Sequence, residues 1–254
     1  RVFIIIKGRE KRMADRTFKT DALVLLSRPL GEADRLITLL TWERGKISAV
    51  ARGARKTKSK LAAGVDLFTY GQYILYQGRG LATITGQQVK EHFQYFRGDV
   101  ALYPFGLYLA ELTGKAISGE EPCRPVCHLL LEGWRLLGED LDRELLCRAF
   151  ELKLADLLGY RPNLNGCFLC GSPETAWFNQ AHGSLTCKQC GGGGVRVAPD
   201  TVALAVRLLE APLRQVRLLR ALSRQKEELA GLTGSFLKYH LEIDSLRSLR
   251  FFRD

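Results

Sequence analysis

Apolar residues alternate with polar ones in short runs through the first third of the chain. Through the rest they recur at three- and four-residue steps. Alternation marks half-buried strands, and the longer step marks amphipathic helices. Five strands are predicted at Ala22–Leu26, Arg35–Thr41, Lys46–Arg52, Tyr70–Tyr76 and Leu81–Thr85, bounded by turn signals such as Pro29-Leu-Gly31 and Gly78-Arg-Gly80. Trp42-Glu-Arg-Gly45 reads as the hairpin turn between the second and third. Five strands in about seventy residues predict a small closed barrel, because closure removes the open edges of such a sheet. Leu and Ala at helical spacing then predict helices over Val100–Ser118, Val126–Leu137 and Leu141–Leu158, stopped by Gly159-Tyr-Arg-Pro162. Helical periodicity returns from Thr201 to Leu222, with a break expected at Pro212, and again from Glu227 to His240.

Between these helical blocks lie two identical knuckles, Cys167-Phe-Leu-Cys170-Gly171 and Cys187-Lys-Gln-Cys190-Gly191. A two-residue gap lets both thiolates of a pair reach one ion, and the interval between pairs suits a four-cysteine zinc site. The glycine after each knuckle permits a positive-φ turn that brings backbone N–H groups toward the sulfurs. Four thiolates saturate tetrahedral zinc and leave no position for an activated water, so Cys167, Cys170, Cys187 and Cys190 point to one structural ion. Two disulfides are the competing reading. Cys123, Cys127 and Cys147 would then be left over, an odd number that suits a reducing cytoplasm. His182 lies between the knuckles and is a substitute ligand of lesser merit. Cys123-x-x-x-Cys127-His128 fits one helix with thiols packed as small hydrophobes better than it fits a second metal site.

Composition changes the picture through where the charge sits. The formal net charge is +11 on 254 residues. Residues 1–12 carry +4, residues 13–98 carry +7, and residues 99–254 balance to zero. Met13 is the only methionine, and Met13-Ala-Asp-Arg reads as a natural start, so residues 1–12 are set aside as an added or misassigned leader. The apolar run Val2–Ile6 is too short for a signal core or a membrane span. The chain is long enough for two domains, with the barrel over 13–95 and a helical domain over 96–254 that holds a cysteine-bearing insert at 163–194.

The densest positive stretch joins the third strand to a loop: Lys46-Ile-Ser-Ala-Val-Ala-Arg52-Gly-Ala-Arg55-Lys56-Thr-Lys58-Ser59-Lys60. Lys46, Arg52, Arg55, Lys56, Lys58 and Lys60 are candidates to neutralise the phosphates of a nucleic acid, with Gly53 and Ala54 allowing close backbone approach. A flexible solubilising loop is the plainer alternative. Trp42, Tyr70, Tyr73, Tyr76, Phe18 and Phe96 are available to stack on bases, although Tyr73 and Tyr76 fall on opposite faces of one strand. The arginines at 207, 214, 217, 220 and 224 read first as a solvated helix face. Catalytic templates fail: Gly114-Lys115 lacks the upstream glycine of a phosphate loop because position 109 is Leu, and no nucleophile elbow or metalloprotease spacing occurs. Glu32 and Asp34 read as turn capping rather than as a metal-binding carboxylate pair.

The passage Gly31-Glu32-Ala-Asp34-Arg-Leu-Ile-Thr, then Thr41 before Gly45-Lys46, then Ala51-Arg52-Gly53-Ala54-Arg55-Lys56 and Ser59, resembles the bacterial DNA repair family RecO. The later cysteine knuckles are similar to the zinc finger of many of its members. The resemblance implies an α+β, multi-domain chain: an N-terminal five-stranded OB-fold barrel, then an α-helical domain with an inserted four-cysteine zinc finger. It implies a cytoplasmic, nucleoid-associated protein with no catalytic centre. Such a protein binds single- and double-stranded DNA, anneals complementary strands and helps load RecA onto strands coated by single-strand-binding protein. RecR and the acidic C-terminal tail of single-strand-binding protein are the implied partners, with no role for a membrane. An RNA-binding module, or a metal-dependent enzyme acting on nucleic acid, are the alternatives.

Overall fold

A computed structural model describes residues 16–191, 193–243 and 246–248; the leader at 1–12 and Met13 lie outside the described residues. The chain divides into two compact units, one running to His92 together with Glu120–Pro122, the other holding Phe93–Gly119 and everything from Cys123 onward.

The first unit is built from β1 (Thr17–Leu30), β2 (Asp34–Thr41), β3 (Gly45–Ala51), β4 (Thr69–Tyr76) and β5 (Ala82–His92). They close into a barrel of order β1-β2-β3-β5-β4, in which only the β3–β5 pair is parallel. This is the topology of an OB-fold. Closure depends on β1, whose first half pairs with β4 and whose second half pairs with β2. A bulge between Val24 and Leu26 bends the strand where it changes partner. Strict alternation on β3 sends Ile47, Ala49 and Ala51 inward and Lys46, Ser48 and Val50 outward. Ala22, Val24, Ile37, Leu39, Leu75 and Ile84 complete the interior with them. Full burial of each Val, Leu or Ile contributes about 1.5–3 kcal/mol.

Two expectations are corrected at the strand ends. Pro29 and Leu30 belong to β1, pairing with Arg35 and Asp34, so the turn is confined to 31–33. The fifth strand continues past Thr85 to His92, carried by its ladder to β4. The hairpin at Trp42–Arg44 is as expected: the Thr41 hydroxyl donates to the Gly45 carbonyl at 2.9 Å and accepts from the Arg44 N–H at 3.0 Å.

The second unit contains α1 (Tyr95–Gly98), α2 (Tyr103–Ala116), α3 (Arg124–Leu137), α4 (Arg143–Leu157), α5 (Pro199–Glu210) and α6 (Ser223–Leu241). Asp142 caps α4 by accepting the Leu145 N–H at 3.0 Å. Residues on every side of α4, from Leu145 to Ala155, are buried, because α2, α3, α5 and α6 all pack on it. Pro212 does end the helical run: α5 stops at Glu210 and a 3-10 turn covers Leu213–Leu218. The five arginines therefore do not form one helical stripe. Arg207 is on α5, Arg214 and Arg217 are on the 3-10 turn, Arg220 is in the connection, and Arg224 on α6 is paired with Asp200 and Glu228.

Between α4 and α5 the cysteine segment folds as a small sheet of β6 (Asn163–Cys167), β7 (Trp177–Asn179), β8 (Ser184–Thr186) and β9 (Val195–Arg196), in the order β6-β8-β7-β9. Phe178 of β7 is fully buried and meets Phe236 of α6 edge-on, with ring centroids 5.7 Å apart.

Candidate metal centre and nucleic-acid interface

The sulfurs of Cys167, Cys170, Cys187 and Cys190 all lie within 4.8 Å of one another, with Cys170 and Cys187 at 3.7 Å. Ligands on a tetrahedral ion with metal–sulfur bonds of about 2.3 Å stand about 3.8 Å apart, so the cluster is arranged to hold one metal ion. Each knuckle is a tight turn. The Gly171 N–H donates to the Cys167 carbonyl at 2.8 Å, the Cys167 N–H donates to the Ser172 carbonyl at 2.7 Å, and Gly171 and Gly191 have φ of +74° and +106°. These turns aim N–H groups at sulfur. Burial works against ionisation of Cys167, yet the N–H groups of Cys170, Cys187 and Leu169 hold its thiol down to about 6. The Cys190 N–H likewise lowers Cys187 against the effect of burial. Cys190 is pushed up to about 12, because its proton is shared with the sulfurs of Cys170 and Cys187. Four thiols at this spacing cannot all ionise without a compensating cation, which a divalent ion supplies.

His182 is not among the clustered ligands; its ring lies 4.5 Å from that of Phe168. Cys123 and Cys127 occupy the start of α3 with sulfurs 3.9 Å apart, and Cys127 is buried. Among the described residues the only group of three or more potential metal ligands is the four-cysteine cluster.

The basic loop is pinned along its length. At its start the Gly53 N–H donates to the Asp34 carboxylate at 2.7 Å and the Arg55 N–H to the Ala33 carbonyl at 2.9 Å, while the Arg55 guanidinium donates to the Gly31 carbonyl at 2.6 Å. Successive turns follow: Lys56 N–H to Gly53, Ser59 to Lys56, Ala62 to Ser59 and Gly64 to Leu61. At its end the Gln87 side chain donates to the Lys60 carbonyl at 3.2 Å, and the Tyr73 hydroxyl to the Gly64 carbonyl at 2.5 Å. These bonds give the loop a defined course over the barrel.

On this scaffold Arg52, Arg55, Lys56, Lys58 and Lys60 are all exposed, and among the described residues none of them forms an ion pair. Lys46 is placed differently. It lies on the outer face at the start of β3, about 20 Å of strand from Arg52, and partial burial lowers its pKa. Ala54 does not serve close approach of a ligand. Its side chain is 2% exposed and belongs to the barrel interior.

The aromatics sort by burial. Tyr73 and Trp42 are buried, and Phe96 is fully buried in the helical unit, so none of these three can stack on a base. Phe18, Tyr70 and Tyr76 are half-exposed. The Arg44 guanidinium lies 3.9 Å over the Phe18 ring, and the Lys90 ammonium 5.2 Å from the Tyr70 ring. Asp34, Gln87 and Tyr73 are the contributors to the loop that pattern reading missed, since each acts on residues distant in sequence. Only the recurrence of small residues at Gly31 and Gly53 hinted at backbone packing there.

Residues 13–93 match the family model described as Recombination protein O N terminal, and residues 97–250 match Recombination protein O C terminal. Curated relatives bearing the description DNA repair protein RecO cover nearly the whole chain. One from Alkaliphilus metalliredigens is 34% identical over 91% of this chain and 96% of its own length. One from Symbiobacterium thermophilum is 32% identical over 92% and 99%. A third, from Heliobacterium modesticaldum, is 39% identical over 81% and 78%.

Proposed function

Because the chain belongs to the RecO family of DNA repair and recombination proteins, we propose that it works without a catalytic centre, as a mediator that binds single- and double-stranded DNA and anneals complementary strands. In this reading it also helps load RecA onto strands coated by single-strand-binding protein, with RecR and the acidic tail of that protein as partners. The observation that carries the strand-binding part is the pinned loop. Arg52, Arg55, Lys56, Lys58 and Lys60 are held exposed on a structured platform at the rim of the barrel, without acidic partners among the described residues.

Cations at this density neutralise successive phosphates and release their counterions, so affinity falls steeply with salt. Contacts of this type go to the backbone and read no sequence, as annealing of arbitrary strands requires. Neutralising two strands on one surface also lowers the repulsion between them. Lys46 and the half-exposed Tyr70 and Tyr76 are further candidates for strand contact on the barrel, whereas Phe18 packs against the barrel core beneath Arg44. Cys167, Cys170, Cys187 and Cys190 would hold one zinc ion, which would join the two knuckles and keep the small sheet folded. Four thiolate ligands would leave no position for an activated water, which suits a structural role.

The test is fluorescence anisotropy with a labelled single strand of DNA and a matched RNA, titrated with salt, alongside annealing of complementary DNA strands. K56E/K58E should weaken DNA binding and reduce the slope of log affinity against log salt by about 1.4, two phosphates at about 0.7 each. An unchanged slope rules the loop out as the strand-binding surface. Preferential binding of the RNA strand would move the reading to an RNA-binding module.

A further inference from the structure

A cationic surface gains nothing electrostatically from a carboxylate in its midst, yet Asp34 is built into the root of the basic loop. Its place is set by the barrel, because Asp34 forms the last pair of the β1–β2 ladder, opposite Leu30. One of its oxygens accepts the Gly53 N–H at 2.7 Å. Gly53 sits at φ +66°, the left-handed conformation in which the chain leaves β3 and turns outward. The next residue, Ala54, is buried in the barrel interior, and the one after, Arg55, donates its N–H to Ala33 at 2.9 Å. Three consecutive residues are thereby fixed, and with them the directions in which Arg52, Arg55 and Lys56 leave the backbone. Glu32, in the same turn, is exposed and makes no hydrogen bond to the loop among the described residues.

We propose that Asp34 is a positioning residue of the strand-binding platform: by fixing the Gly53 amide it strengthens binding of a polyanionic strand in spite of its own negative charge. The proposal rests on the reading of the loop as the strand-binding surface. Charge alone predicts the opposite sign, since removing an anion from a cationic surface raises its attraction for phosphate. The two accounts separate cleanly with a pair of variants. Asp34→Ala removes charge and acceptor together, whereas Asp34→Asn removes the charge and keeps a carbonyl oxygen that can accept the Gly53 N–H.

The experiment measures single-strand affinity and its salt slope for both variants and for K56E/K58E, with hydrogen exchange at the Gly53 amide followed in the free proteins. Asp34→Ala should bind about fivefold more weakly, the worth of one net hydrogen bond, with a shallower salt slope and faster exchange at Gly53. Asp34→Asn should restore wild-type slope and exchange and bind at least as tightly as wild type. Tighter binding by the same factor in both Asp34 variants, or unchanged Gly53 exchange in Asp34→Ala, overturns the proposal. Faster exchange in Asp34→Ala with unaltered affinity, while K56E/K58E loses binding, also overturns it and leaves the strand-binding reading intact. Unaltered affinity in Asp34→Ala and K56E/K58E alike removes the strand-binding reading itself and the proposal with it.

Discussion

A guanidinium nitrogen of Arg148 lies 2.8 Å from the carboxylate of Glu151, one turn further along α4 and sealed inside the helical unit. Glu151 is 1% exposed, and the Tyr108 hydroxyl donates to the same carboxylate oxygen. Arg148 also reaches the Thr233 hydroxyl of α6 at 3.3 Å, so the pair links α2, α4 and α6. Burial and the adjacent carboxylate together push the Tyr108 hydroxyl well above its usual pKa, which keeps it a donor throughout the accessible pH range.

Removing one partner of such a pair strands the other charge away from water. Glu151→Leu or Arg148→Met alone should therefore destabilise the protein by about 3–5 kcal/mol. The double variant replaces both charges with apolar groups and should recover most of that loss. Urea unfolding of the four proteins checks this; a double variant as unstable as the sum of the singles would show that the two charges act independently.

The four sulfurs lead to a separate expectation for metal removal. Chelation, or Cys170→Ser with Cys187→Ser, should lower the melting temperature and loosen the segment 163–196, because metal binding free energy is folding free energy at such a site. The barrel has its own interior and its own loop anchors. Its affinity for a single strand should thus stay within about twofold of the metal-loaded protein, well inside the tenfold that 1.4 kcal/mol represents. Metal analysis should return one ion per chain. Loss of strand binding ahead of loss of helical-unit stability would instead put the cysteines at the working surface.

Acid should loosen the start of α5 in a way that depends on Glu228. Burial opposes its ionisation, but the Thr201 hydroxyl, the Ala198 N–H and the Arg224 guanidinium outweigh burial and hold its carboxyl below the usual range. The bonds run from Thr201 at 2.6 Å and Ala198 at 2.8 Å, so α6 supplies the cap that α5 lacks locally. A carboxyl whose pKa is depressed by folding stabilises fully above its unfolded pKa of about 4.3 and loses that contribution as pH falls through the folded value. Stability of the wild type should drop across that window more steeply than stability of Glu228→Gln. The substitution itself should cost about 1 kcal/mol at neutral pH. Parallel pH curves for the two proteins contradict the assignment.

The legibility of these features in the sequence follows the range of the interactions that make them. The cysteine cluster was readable because two-residue gaps bring sulfurs together through local turns. The barrel strands were readable wherever one face is buried, as in Ile47, Ala49 and Ala51. The second half of β5, Gly86-Gln-Gln-Val-Lys-Glu-His92, was not, since it is held by its ladder to β4 and shows no apolar face. The strands of the cysteine segment, two to five residues long, fall below the length at which alternation can be recognised. Asp34 and Gly53 are 19 residues apart, and their bond exists because the β2–β3 hairpin, which pairs Arg35 with Ala51, sets the β1–β2 turn beside the end of β3. Turn capping was a sound local reading of Asp34, but the partner is not local.

That distinction separates two cations which look equivalent in sequence. Lys58 is exposed and makes no side-chain hydrogen bond among the described residues, whereas the Arg55 guanidinium donates to the Gly31 carbonyl at 2.6 Å across the root of the loop. Lys58→Ala should leave thermal stability unchanged and reduce the salt slope for single-strand binding by about 0.7, the share of one phosphate. Arg55→Lys keeps the charge but replaces a planar fork with a point charge on a flexible stem, which cannot reproduce the clamp on Gly31 at the same cost in side-chain order. It should lower barrel stability by about 0.5–1.5 kcal/mol, the net worth of a hydrogen bond, with little change in salt slope. Melting curves and salt titrations on the same two variants decide the matter. If Arg55→Lys melts with the wild type, the clamp contributes nothing and Arg55 acts as a phosphate contact alone.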